Sequence, residues 1–96
     1  MSTTVVAEIR PLPGREPEVE RALRAAVARV VAEDRGCERY ELNVDPADRS
    51  FVMVERWSDE AALAEHAAGP AFAELGAALE GLLAQPIGVR PLTPLD

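Results

Sequence analysis

Two spacings of apolar residues take turns along the chain. Val5–Ile9 is a β-prone run after a polar start, and Pro11, Pro13 and Gly14 break it, which predicts a short strand followed by a turn. The period then lengthens. Val19, Leu23, Ala26, Val27, Val30 and Val31 fall on one helical stripe. Pro17 sits where a first helical turn needs no N–H, and Glu16, Glu18 and Glu20 favour the positive end of the helix dipole. Glu20 and Arg24 form an outward i,i+4 pair worth about 0.2–0.5 kcal/mol, and Gly36 is the predicted C-terminal cap. Alternation returns over Cys37–Val44, with Tyr40, Leu42 and Val44 on one side. Asp45–Ser50 has turn composition, and Phe51–Trp57 completes a hairpin in which Phe51, Met53, Glu55 and Trp57 share a face. Ser58 is the predicted N-cap of a short helix carrying Leu63 and His66, which Gly69-Pro70 interrupts. Phe72, Leu75, Leu79, Leu82 and Leu83 predict a further helix up to Pro86. Gly76 and Gly81 weaken it by about 1 kcal/mol each and mark close packing or room for a ligand. Ile87–Arg90 reads as the last strand, with Pro91 and Pro94 confining the C-terminal residues to an edge or an extended arm.

Strand, helix, strand, strand, helix pair, strand is the order of two interleaved right-handed β-α-β halves. It predicts an α+β class: one domain over residues 1–96, with a ferredoxin-like four-stranded antiparallel sheet covered by helices on one face. The other face is left bare. Val6, Val52 and Val54 are placed there beside Glu8, Arg10 and Arg56, and apolar area of that kind is expected to meet a partner. The economical partner is a second copy, sheet against sheet, with the tail from Pro91 lying across it.

Composition narrows the function. The chain is 48% hydrophobic and 28% charged, a globular balance. Ten Arg, no Lys and seventeen acidic residues leave a net charge of −7, which argues against nucleic acid as a partner. Absence of Lys beside 17 Ala is read as codon bias. No long apolar run or basic-then-apolar leader is present, so a cytoplasmic protein with no membrane partner is expected. The single Cys37 and single His66 allow no internal disulfide and no Cys- or His-based metal cluster. No glycine-rich phosphate loop occurs, and Ser50 and Ser58 read as turn and cap residues rather than nucleophiles. An enzyme built from this chain must work with a shaped pocket, a few polar groups and the reactivity of its substrate.

Val5-Val6-Ala7-Glu8-Ile9-Arg10 with Pro13-Gly14, then Gly36-Cys37 with Tyr40, Val52-Met53-Val54-Glu55-Arg56-Trp57, Ala62-Leu63, Glu65-His66 and Phe72 follow one another at the spacing of a known family. The chain resembles the antibiotic biosynthesis monooxygenase (ABM) family over nearly its whole length, in particular the members described as quinol monooxygenases. That resemblance implies a dimeric α/β barrel made from two ferredoxin-like sheets. It also implies oxidation of phenols or anthrones by O₂ without metal or flavin. Haem-degrading members of the family use an Asn, a Trp and a His where this chain has Ile9, His66 and Gly76, so the resemblance does not extend to haem chemistry. Anthrone-oxidising members place a Trp where Trp57 stands, but Met53 and Leu63 replace their Asn and Tyr.

Triplet O₂ reacts slowly with closed-shell molecules unless the substrate gives up an electron easily, as a phenolate does. Such chemistry needs a base, a donor for the oxyanion and walls that exclude water. His66 is the one side chain whose ordinary titration range suits the first task. Glu55 is a second candidate base, and Trp57 supplies an aromatic wall and an N–H donor. Ile9, Tyr40, Phe51, Met53, Leu63 and Phe72 are the expected substrate-lining residues, with no metal and no cofactor. Plain structural roles stand beside these. His66 fits a spacer, Trp57 core, Tyr40 a sheet aromatic, and Glu55 an ion pair with Arg56 or Arg10. Cys37 fits a structural position, since only Arg35 and Arg39 lie near enough in sequence to stabilise a thiolate. The expectation is therefore a homodimeric oxygenase acting on a small electron-rich aromatic. A non-catalytic small-molecule binding domain and an isomerase or cyclase are the alternatives.

Overall fold

A computed structural model describes residues 1–95. Its elements follow the expected order: β1 (Thr3–Ile9), α1 (Glu16–Glu33), β2 (Cys37–Val44), β3 (Phe51–Trp57), α2 (Glu60–Ala68), α3 (Pro70–Leu79) and β4 (Gly88–Leu92). The sheet order is β2-β3-β1-β4, antiparallel throughout, with β1 central between β3 and β4. This is the ferredoxin-like α+β fold, all three helices covering one face.

Strand alternation sets the core. Val5, Ala7 and Ile9 of β1 and Phe51, Met53, Glu55 and Trp57 of β3 point towards the helices and are buried. Val6, Val52 and Val54 stay partly exposed on the bare face, as expected. Beside them Arg10 pairs with Glu8 and Asp48, and Arg56 with Glu38. A register shift between Cys37 and Arg39 bends the start of β2. Every residue of β4 is exposed, and Pro91 is tolerated inside it because β4 is an edge strand.

Helix α1 buries Val19, Leu23, Ala26 and Val30, a 4-3-4 spacing along one seam. Val31 does not belong to it. One residue past Val30 it has turned about 100° away and is 63% exposed. The Glu20–Arg24 pair forms at 2.8 Å, and Arg29 pairs with Glu33 within α1 and with Glu74 of α3.

Helix ends differ from the sequence reading. α1 stops at Asp34, whose N–H donates to the Val30 carbonyl, and Gly36 lies two residues beyond the cap in the turn, at φ 78°. A Cβ there would sit 2.6 Å from Ala62 Cβ and 2.6 Å from Ser58 Oγ, so the turn packs directly on the start of α2. Ser58 closes that contact, its N–H donating to the Gly36 carbonyl at 2.8 Å. The cap of α2 is Asp59, whose carboxylate accepts from the Ala62 N–H. α3 begins with Pro70 and ends at Leu79, earlier than Pro86, because the chain turns through Gly81 at φ 79°. Residues 82–84 then run antiparallel to residues 10–12, with Leu12 N–H donating to Leu82 O and Ala84 N–H to Arg10 O. A Cβ added at Gly76 or Gly81 would meet no atom within 4 Å, so neither glycine marks a close approach.

Candidate active site

Five side chains converge where β2, β3 and the junction of α2 with α3 face one another. Alternation turns Glu55 and Trp57 inward from β3, and Tyr40 of β2 stands opposite Glu55 in the ladder. His66, in the last turn of α2, descends onto them. Its ring stacks on the Trp57 indole with centroids 4.5 Å and planes 29° apart. Tyr40 meets it edge-on at 5.6 Å, and Phe72 of α3 tilts against it at 5.3 Å. Two hydrogen bonds fix the group. Trp57 Nε1 donates to Glu55 Oε1 at 3.0 Å, because residues i and i+2 of a strand share a face. His66 Nδ1 lies 2.6 Å from Oδ2 of Asp34, the C-cap of α1.

Above this cluster the helices stand off the sheet and leave a cavity of about 200 Å³. Val5, Ala7 and Ile9 floor it with Met53. Leu23, Leu63, Ala67, Phe72 and Leu75 roof it from the helices, and Ile87 and Val89 close one side. Val89 is 53% exposed, so the cavity meets the surface at β4. Three wall residues are polar: Tyr40, Glu55 and His66. Among the described residues no side-chain nitrogen or oxygen is both sealed from solvent and without a partner. The Tyr40 hydroxyl, the second Glu55 oxygen and His66 Nε2 have no hydrogen-bond partner in the protein, so each retains accessible surface. Residue by residue, Tyr40, Glu55 and His66 are only about 5–6% exposed. The cavity wall is thus almost wholly apolar, with three residues in it that carry an unused polar valence, the usual make-up of a small-molecule site.

Burial pushes the Glu55 carboxyl above its ordinary range, while the Trp57 N–H and nearby His66 pull it back in part. Burial also raises the Tyr40 phenol, helped by the charge of Glu55, so Tyr40 enters the cavity as a neutral donor. Among the described residues no three His, Cys, Asp or Glu side chains are grouped to hold a metal ion. None of the described helices is long and apolar enough to cross a membrane.

Of the residues named from sequence, Ile9, Tyr40, Met53, Glu55, Leu63, His66 and Phe72 meet in this wall. Trp57 does not reach it. It is wholly buried beneath the imidazole, a support for His66 and Glu55 rather than a wall. Phe51 faces the same way as Met53, but at the far end of β3. It lies by a separate groove with Glu16, Glu20 and Val44, away from the cavity. Glu55 pairs with neither Arg56 nor Arg10, both of which face outward to other carboxylates. Cys37 is partly buried with its thiol raised by desolvation, in keeping with a structural place on β2. Sequence reasoning did not single out Asp34. It lies 32 residues from His66, in a stretch that reads as a charged helix end, and no local spacing joins the two. Leu75, Ile87 and Val89 were also missed as wall residues, although strand alternation opposite Ala7 places Val89 on the inner side.

Residues 2–78 match the family model described as antibiotic biosynthesis monooxygenase. Rv0793 of Mycobacterium tuberculosis, which carries a provisional monooxygenase name, is 33% identical over 92 residues, covering 96% of this chain and 90% of that protein. The solved structure of Rv0793 superposes with a TM-score of 0.92 at 29% identity, over 100% of this chain and 97% of that one. PA3566 from Pseudomonas aeruginosa superposes with a TM-score of 0.89 at 35% identity, over 99% of this chain and 95% of that one.

Proposed function

The chain belongs to the antibiotic biosynthesis monooxygenase family, whose named relatives support a monooxygenase-type function, and on that premise we propose that it oxidises a small electron-rich aromatic of quinol or phenol type with O₂, without metal or flavin. The observation that carries this reading is the placement of Tyr40, Glu55 and His66, each with an unused polar atom, around one apolar cavity. A cavity of about 150 Å³ holds benzene, so about 200 Å³ suits one substituted ring or a compact fused pair.

His66 takes the hydroxyl proton of the bound phenol, and Tyr40 donates to the oxyanion that forms. The phenolate passes an electron to O₂, and recombination makes a carbon–oxygen bond at a ring carbon ortho or para to it that carries hydrogen, which in a quinol is the ortho carbon. Loss of that carbon's hydrogen with cleavage of the O–O bond leaves a quinone and releases the other oxygen atom as water. The substrate supplies all four electrons, so no external reductant enters. Water exclusion by Leu63, Phe72 and Leu75 protects the radical pair from side reactions. Glu55 is the second candidate base, and Trp57 acts through its contacts with Glu55 and His66.

We further propose that the working unit is a homodimer. Wholly exposed β4 and partly exposed Val6, Val52 and Val54 form the face that a second copy covers.

Oxygen uptake with a naphthohydroquinone or simple hydroquinone, corrected for autoxidation, tests the chemistry. Uptake without added metal or flavin is expected, falling strongly in His66→Ala and in Trp57→Phe. Unchanged uptake in both variants would remove this site from the reaction. Product that continues to form without O₂ would favour an isomerase or cyclase, and thermal stabilisation by the aromatic with no turnover would favour a binding domain.

A further inference from the structure

We infer that Asp34 is a positioning residue: it holds His66 in the tautomer with the proton on Nδ1 and leaves Nε2 as the nitrogen that takes a proton from the cavity. Three observations carry this. Asp34 Oδ2 and His66 Nδ1 are 2.6 Å apart, a short bond of charge-assisted kind. His66 is buried and Asp34 half-buried, with side-chain exposures of 4% and 15%, so the imidazole side of the contact is shielded from water. Nε2 has no partner in the protein and is not sealed. A carboxylate only accepts, so a neutral imidazole facing it must donate, and the Nδ1–H tautomer follows.

The two residues also occupy different spaces. His66 lines the inner cavity and, on its other side, a groove shared with Asp34, Glu33, Arg35 and Glu65, whereas Asp34 belongs to the groove alone. The carboxylate thus sits behind the ring, outside the reaction space, where it cannot touch a ligand in the cavity. Its effects are orientation and charge. It keeps the imidazole from rotating on the Trp57 indole, and it offsets the positive charge that the ring gains on taking the substrate proton. The proton moves from the substrate hydroxyl to Nε2; Nδ1–H and the Asp34 carboxylate are unchanged.

The kinetic part of this role rests on the oxygenase reading, whereas the tautomer does not, so the test has two arms. Because the chain has one histidine, ¹⁵N resonances of its imidazole can be assigned without ambiguity in ligand-free protein. With the ring neutral, the wild type is expected to show a protonated Nδ1 and a bare Nε2. Asp34→Ala is expected to shift the balance towards Nε2–H, and Asp34→Glu to restore part of the original signal. A wild type with Nε2–H, or an Asp34→Ala spectrum identical to it, overturns the inference. Should Asp34→Ala fail to fold, the wild-type spectrum alone decides. In the second arm, kcat for hydroquinone oxidation is expected to fall about 10- to 100-fold in Asp34→Ala with KM little changed. If the tautomer is as stated but wild-type protein consumes no O₂, the dyad stands and the oxygenase reading falls.

Discussion

Gly36 is the point at which the backbone decides whether α2 can sit beside the end of α1. Its φ of 78° lies in the left-handed region, and an added methyl would meet Ala62 Cβ and Ser58 Oγ, each at 2.6 Å. Gly14 supplies a control within the same chain. Its φ is 86°, yet nothing lies within 4 Å of an added Cβ. Gly14→Ala therefore measures conformational strain alone: about 1–2 kcal/mol for the left-handed residue, less about 0.4–1 kcal/mol regained from a stiffer unfolded chain. Gly36→Ala carries that same net cost of about 1 kcal/mol and adds crowding of about 1–3 kcal/mol, because Ser58 can rotate away but Ala62 Cβ is fixed to its helix. The expected loss is about 2–4 kcal/mol at Gly36 against about 1 kcal/mol at Gly14. Urea unfolding followed by circular dichroism, with the slope m unchanged, reads both. Ala62→Gly in the Gly36→Ala background should recover part of the difference despite a helix-propensity loss of about 1 kcal/mol. Equal losses at the two glycines would refute the packing argument and leave only backbone strain.

Other outcomes follow from the charges. Glu55→Gln keeps an acceptor for Trp57 Nε1 while removing a buried charge, so stability at neutral pH should rise by about 1–3 kcal/mol. Since burial raises Glu55 in the folded state, the wild type takes up this proton more readily when folded. Its stability should therefore gain on Glu55→Gln as pH falls from neutral towards the ordinary glutamate range, closing the gap seen in melts at each pH. Asp48 has the opposite sign. The Ser50 N–H and hydroxyl, with Arg10, lower it to about 2, so its contribution is present above 3.8 and disappears as pH falls from 3.8 to about 2. Asp48→Asn should flatten acid unfolding over that window. Asp59→Ala removes the N-cap of α2 and should cost about 0.5–2 kcal/mol in denaturant titrations.

Periodicity made the architecture readable, because each strand and helix here buries one face and its apolar spacing records which. The shared face of β3 and, Val31 apart, the seam of α1 came from that record. His66, Glu55 and Tyr40 stood out instead for their acid–base or hydroxyl chemistry, and the family resemblance turned the β3 face towards the helices. Local chemistry misled where two residues offered the same service. Ser58 and Asp59 can both cap a helix, and the backbone contact of Ser58 with Gly36 leaves the capping to Asp59. Trp57 was placed on the correct face but at the wrong depth, since alternation gives direction and says nothing of what lies on top. Phe51 shares that face yet serves a different groove, because seven residues of strand span more than one pocket. Asp34 was out of reach altogether: its pairing with His66 is a product of tertiary folding, of two helix ends brought together by the Gly36 turn.

The chain carries a single indole, and the fold has laid it flat against the only imidazole, with its N–H held by a carboxylate at the edge of the ligand space. Its ultraviolet emission is therefore a label that nature has already installed. Tryptophan emission is quenched by a charged imidazole in van der Waals contact, so each gain or loss of charge on the ring, and each aromatic guest arriving on its other side, should alter the light from one known position. Titrating candidate compounds while watching that signal would survey the pocket before any turnover assay exists.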